Sequence, residues 1–392
     1  MAVTYQAFIT PKLVKWARER VQATYDAIAD KLAVETQEVV SWEQGRVYPN
    51  LRQARELAAA LKIPFGYLYL SSPPIEKTPL PDFRTIGTRR RTKLSAEFRD
   101  TLNDALLKQD WYKEYLREDG RERLQFIGKF SLEDDVYRVA DDIRQTLGVN
   151  DTLRTLANTW EDFLSGLVRN CESKGIIVLR NSVVGSNTHR PLSVREFRGF
   201  NIADDLAPLI FINTRDAKTA QIFTLVHEIV HLWIGKSGIS NSNLVARTSD
   251  PINKVERFCN QTAAEVLIPE AGFSDKWDEA IDIEANLSHL SREYKVSASV
   301  VLRRAYELDI ISYTMYTRLL KREMAIWKRR KERRQEGGNI QYLVLSRNST
   351  NLAIALIGEA MEGRISPRDA ERMLGVGMDA IGKISEKLTK TA

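Results

Sequence analysis

Two of the chain's four histidines, His227 and His231, stand four residues apart in TLVHEIVHLW (224–233), and Glu228 follows the first of them. On a helix, residues i and i+4 leave the same face about one turn apart, so both imidazoles can meet one ion. Glu228 then lies beside the ion rather than pointing at it, in place to take a proton from a water that the ion acidifies. The bland alternative is a packed helix with incidental histidines, since Ile222, Val226, Ile229 and Trp233 form an apolar stripe of their own. Half of all the histidines in one five-residue motif, behind the strand-forming LIFIN, favours the metal.

A catalytic zinc takes three protein ligands and keeps one position open. Downstream, PINKVERFCNQTAAEVLIP (251–269) reads as a helix opened by Pro251 and closed before Pro269. Glu256 shares a face with Cys259, Asn260, Ala263 and Leu267, and a carboxylate there is costly to bury without a cation, so Glu256 is the expected third ligand. Cys259 offers a second option, but a buried free cysteine is the commoner case. Glu265 lies on another face and is a weaker choice. His189 and His289 have no ligand-spaced partner and read as structural or surface residues.

FTLVHEIVHLWIG together with ERFCNQTAAEVLIP resembles the ImmA/IrrE family of zinc metallopeptidases, in which an E-x-x-A-N-x-F-A-A-x-x-L-x-P helix supplies the third ligand. Glu256 matches the ligand and Asn260 the asparagine; Cys259 replaces the usual alanine and Thr262 the usual aromatic. EFRGFNIADDLAPLIFINTRD is similar to the family's strand pair, and SREYKVSASVVLRRAYELDII to its closing helices, so the resemblance spans about Leu147 to Ile311. It implies a zincin-like fold, Zn2+ on His227, His231 and Glu256, catalysis by Glu228, and a narrow substrate such as a partner repressor cut once.

These residues must be held by surrounding elements. GIIVLRNS (175–182), EFRGFNIA (196–203) and APLIFINT (207–214) are β-branched and aromatic-rich between Gly, Asp and Pro, and predict a small three-stranded sheet. PLIFIN (208–213) is the candidate edge strand on which an extended substrate pairs. The metal helix is predicted to start from an Asp216 N-cap and end at Gly235. Asn260, Arg195 and Arg198 are candidate donors to a developing oxyanion.

Before this region, ATYDAIADKLAVETQEVVSWEQGRVYPNLRQARELAAALKIP (23–64) reads as helix, turn, helix, turn and helix, and SWEQGRVYP resembles the tail of the XRE-type helix-turn-helix. If it enters a major groove, Thr36, Gln37 and Ser41 are the expected base readers, and Arg46, Arg52 and Arg55 the phosphate contacts. Glu35 and Glu38 at the same helix end oppose phosphate, so the other reading is a protein-docking or dimerisation module. A homodimer is expected if DNA is the target.

The whole is expected to be α+β and mostly helical: a helix-turn-helix domain (1–70), a Pro-rich linker with connecting helices (71–146), a zincin-like domain (147–312) and a basic helix with further C-terminal helices (313–392). Basic runs at 84–93 and 327–334 suit a phosphate backbone or a solvated surface. Two cysteines make no disulfide framework and no apolar stretch suits a membrane span or signal peptide, so a cytoplasmic protein is expected. Two functions follow. The first is a zinc metalloendopeptidase and transcriptional regulator acting on a specific protein in a stress-response or mobile-element circuit. The second is an antitoxin-like DNA-binding protein that sequesters a toxin, its metal structural or vestigial.

Overall fold

The computed structural model describes residues 5–74, 80, 94–240, 251–331 and 340–391. The basic run 84–93, most of the Pro-rich stretch 71–83 and the end of the run 327–334 lie outside the described residues. The chain forms two compact units, one of residues 1–79 with 93–100 and the other of residues 80–92 with 101–392.

The first unit is helical. Its helices are α1 (Pro11–Arg20), α2 (Tyr25–Leu32), α3 (Thr36–Glu43) and α4 (Leu51–Ala60). Thr24 caps α2 by accepting from the Ala27 N–H, and an Asn50–Gln53 capping box starts α4. Gly45 turns the chain after α3 at φ +69°, and a Cβ there would stand 2.9 Å from Pro11 Cγ. Ile28, Ala29, Leu32, Val39, Trp42 and Leu57 are buried together. Glu43 of α3 accepts from Arg18 of α1 (2.7 and 2.9 Å) and from the Tyr25 hydroxyl of α2 (2.8 Å), tying three helices at one carboxylate.

The second unit is α+β. Helix α5 (Ala96–Glu118), whose residues 96–100 belong to the first unit, and helices α6 (Val136–Leu147), α7 (Asp151–Leu156) and α8 (Trp160–Ser173) precede a sheet of β1 (Ile177–Asn181), β4 (Gly199–Ile202), β5 (Leu209–Asn213) and β6 (Gly238–Ser240). A separate hairpin of β2 (Val183–Val184) and β3 (Asn187–Pro191) interrupts it. The main sheet is therefore four-stranded, ordered β1-β5-β4-β6, rather than three-stranded; β6 is too short and glycine-containing to carry a strand pattern in sequence. β5 runs parallel to β1 and antiparallel to β4. PLIFIN is thus an interior strand with both edges paired, and the expectation that it offers a free edge is wrong. Its uninterrupted burial is the mark of a strand covered on both faces.

Helix α9 (Lys218–Trp233) follows β5 and packs on the sheet face bearing Ile210 and Ile212. Its N-cap is Ala217 with no side-chain bond, not Asp216, whose carboxylate instead pairs with Arg198 at 3.0 Å. Gly235 lies just beyond the C-cap at φ +63°. There the N–H groups of Gly128 and Phe130 satisfy the last carbonyls of α9, at Leu232 (2.9 Å) and Trp233 (3.0 Å). Helix α10 (Pro251–Leu267) packs across both α9 and α6. Arg144 and Arg154 bond its terminal carbonyls at Glu265 (2.8 Å) and Leu267 (2.9 Å).

Helices α11 (Glu270–Phe273), α12 (Ile283–Glu293), α13 (Ala298–Glu307) and α14 (Tyr313–Lys331) continue the chain, followed by α15 (Ile340–Asn348), α16 (Thr350–Met361), α17 (Pro367–Leu374) and α18 (Met378–Thr391). Ser366 caps α17 by accepting from the Asp369 N–H. Helix α15 packs beside β1, and the Glu172 carboxylate accepts from the Thr350 N–H (2.9 Å) at the start of α16. No helix among the described residues is long and apolar enough to cross a membrane.

Candidate metal centre

Every residue of α9 from Gln221 to Trp233 is buried, so this helix belongs to the core and its polar side chains need partners inside it. His227 and His231 meet Glu256 from α10. The Nε2 atoms of the two histidines are 3.2 Å apart, and Glu256 oxygens lie 3.4 Å from His227 Nε2 and 3.2 Å from His231 Nε2. Bonds of about 2.0–2.1 Å to a shared tetrahedral ion would set its ligands about 3.3 Å apart, which these separations match. Among the described residues this is the one group of His, Cys, Asp or Glu side chains able to hold a metal ion. Two nitrogens and one carboxylate oxygen suit zinc. Burial would raise the Glu256 carboxyl, but His227 and His231 overcome it and hold the group at about 2.

Glu228 is fully buried, and burial pushes its carboxyl up to about 8. His231, the Asn201 amide and the Ser240 hydroxyl favour its ionised form, while Glu256 opposes it. Asn201 donates to Glu228 Oε2 at 3.1 Å, and Glu228 Oε1 is buried with no hydrogen-bond partner. Gly199, two residues earlier on β4, makes room for that oxygen: a Cβ there would lie 2.9 Å from Glu228 Oε1 and 3.0 Å from the Phe211 carbonyl. Both β4 residues pair across to Ile212 and Ile210, and so face α9.

The other sequence candidates are distributed as follows. Cys259 is buried one turn from Glu256 and outside the cluster, its thiol pushed well above the usual range by burial. Asn260 is buried on the same helix with Oδ1 unpartnered, whereas Arg198 is held by Asp216. Glu265 is engaged with Arg304 and Arg144, an ion-pair network at the end of α10. His189 and His289 are exposed. Asn201, Gly199 and Ser240 were not singled out by the sequence; only the strand register, which alternates them onto the α9 face, brings them to Glu228.

In the first unit, Gln37 and Arg46 are exposed near α3. Thr36 bonds Asp26 (2.8 Å), Ser41 bonds back to the Gln37 carbonyl (2.7 Å) and Arg52 pairs with Glu56 (2.8 Å).

No curated protein matches the chain. Residues 171–306, about a third of the sequence and the part that carries His227, Glu228, His231 and Glu256, match the model of Peptidase_M78, the IrrE N-terminal-like domain, a zincin-like metallopeptidase family.

Proposed function

We propose that this protein is a zinc-dependent metalloendopeptidase that cuts a specific partner protein, such as a repressor, and so regulates transcription. The observation that carries this reading is the convergence of His227, His231 and Glu256, with Glu228 beside them and held by Asn201. A zinc ion on the three ligands would supply Lewis acidity, which polarises a peptide carbonyl and acidifies water. Glu228 takes the proton from the attacking water and returns it to the leaving amine. The Asn201 amide fixes one oxygen of Glu228 and leaves the other for that proton. A purely structural zinc has no use for such a glutamate.

The first unit is proposed to be an XRE-type helix-turn-helix, with α3 as the recognition helix. Gln37, Thr36 and Ser41 would reach base edges, and Arg46 and Arg52 the phosphates. One observation favours a different role for the metal: His227, Glu228 and His231 are completely enclosed, as in a closed structural site. That fits the antitoxin-like alternative, in which the chain holds a toxin without cutting it.

A pull-down from the native host separates the two. Wild type and Glu228→Gln are compared, and the intact masses of co-purifying proteins are taken. A partner whole with the variant and cut with wild type supports the peptidase; a partner whole with both overturns it.

A further inference from the structure

Two strands of the sheet, β4 and β6, bear on the buried Glu228. Strand β4 carries Gly199 and Asn201 against Glu228, so an extended peptide laid along β4 would pass over the reacting groups. One edge of β4 is taken by β5, an interior strand of the sheet. The other is taken by β6, antiparallel, with Gly199 opposite Ser240, Phe200 opposite Ile239 and Asn201 opposite Gly238. Strand alternation places Ser240 on the face of the sheet that meets α9, and its side chain is 0% exposed.

β6 is a weakly built strand for so central a place. It has three residues, is separated from the end of α9 by four residues, and Ile239 is its one large side chain in the core. Among the described residues, besides the ladder, the Ser237 hydroxyl accepts from the Ala203 N–H (2.8 Å) and the Ser240 carbonyl accepts from the Arg198 N–H (3.4 Å). Short elements with few buried side chains open at a small fraction of the global unfolding cost.

We infer that β6 is a resident stand-in for the substrate strand: Gly238–Ser240 occupies the β4 edge on which an extended segment of a protein substrate pairs, and it leaves β4 when that segment is seated. The inference rests on the metallopeptidase reading above and adds the docking edge, the direction of the bound segment and its side-chain requirement. The segment lies antiparallel to β4. It carries a small residue opposite Gly199, where Ser240 now sits beneath the sheet, and an aliphatic residue next to it in the place of Ile239. A folded partner must therefore offer an exposed, extended stretch, and most proteins are refused. The same displacement reconciles a fully enclosed Glu228 with a role in cutting a chain.

The test uses the full-length protein loaded with zinc and follows transfer of the metal to the chelator 4-(2-pyridylazo)resorcinol. In Phe200→Cys/Ile239→Cys the cross-strand spacing suits a disulfide that holds β6 on β4. The oxidised form is expected to release zinc at least about tenfold more slowly than the same protein reduced, since a locked strand cannot open locally. Ile239→Ala, which loosens β6 without a crosslink, is expected to release it faster than wild type. In wild type, hydrogen exchange at the β6 amides is expected to run ahead of exchange at β5. Stoichiometric zinc released at equal rates by oxidised and reduced protein, or β6 amides as protected as β5, overturns the stand-in strand and leaves the metal centre in place. A protein that binds no zinc overturns both.

Discussion

Gly199 and Glu228 approach so closely that a single methyl group on the glycine would stand 2.9 Å from the carboxylate oxygen. The strand and the metal helix are therefore in contact at the one residue proposed to move protons. The Phe211 carbonyl, 3.0 Å from the same point, belongs to an interior strand and cannot step aside. Gly199→Ala is expected to cost about 1–3 kcal/mol, the usual penalty for overpacking a tight core. Thermal unfolding reads this directly; an unchanged midpoint would mean that β4 shifts freely.

Glu256 and Glu265 lie nine residues apart on α10 and have different partners, His227 and His231 for the first and Arg304 for the second. Glu256→Gln is expected to abolish stoichiometric zinc. Glu265→Gln should keep the metal yet destabilise the fold by about 1–3 kcal/mol, because the buried Arg304 loses its nearest carboxylate and keeps only Glu270, 3.9 Å away. Elemental analysis with chemical denaturation distinguishes the two. Loss of zinc in Glu265→Gln alone would reassign the third ligand.

Glu43 ties α1, α2 and α3 together. Burial acts to raise its carboxyl, but Arg18 and Tyr25 win and hold it below its ordinary value of 4.5. A carboxyl lowered by folding stabilises the fold above about 4.5 and loses that contribution as the pH falls through the lowered value. Wild type should therefore lose stability on acidification more steeply than Glu43→Gln, and should exceed the variant at pH 7 by about 1–3 kcal/mol. Parallel pH dependences would show that the triad contributes little.

If α3 enters a major groove, Arg46→Ala and Arg52→Ala should weaken binding alike on all sequences and each reduce the salt slope by about 1, whereas Gln37→Ala should alter sequence preference. Fluorescence anisotropy at several salt concentrations checks this. Binding that is indifferent to all three substitutions would turn attention to protein docking.

The cluster of His227, His231 and Glu256 was legible because one helix period links His227 to His231, and because Glu256 sits on a face too apolar for an unpaired carboxylate. Those are local patterns. The surroundings of Glu228 were not legible, because Asn201, Gly199 and Ser240 come from two strands separated by the metal helix itself, and only the pairing register fixes which side chains face it. The edge strand was misplaced for a related reason. An apolar run such as LIFIN is equally consistent with an edge and an interior position until its neighbours are known. Asp216 looked like a cap and serves instead as the partner of Arg198, a contact 18 residues away in sequence.

Helix α15 flanks β1, the outermost strand on the side away from β6, and the Glu172 carboxylate holds the start of α16. These guards come from residues 340–350, made more than 150 residues after the strand they protect. During synthesis the sheet therefore exists for some time with an unshielded flank, at roughly 5–20 residues per second a delay of several seconds or more. A nascent chain halted before α15 would carry the complete candidate metal centre and an open pairing edge, the state in which holdase chaperones and sticky neighbours compete for it.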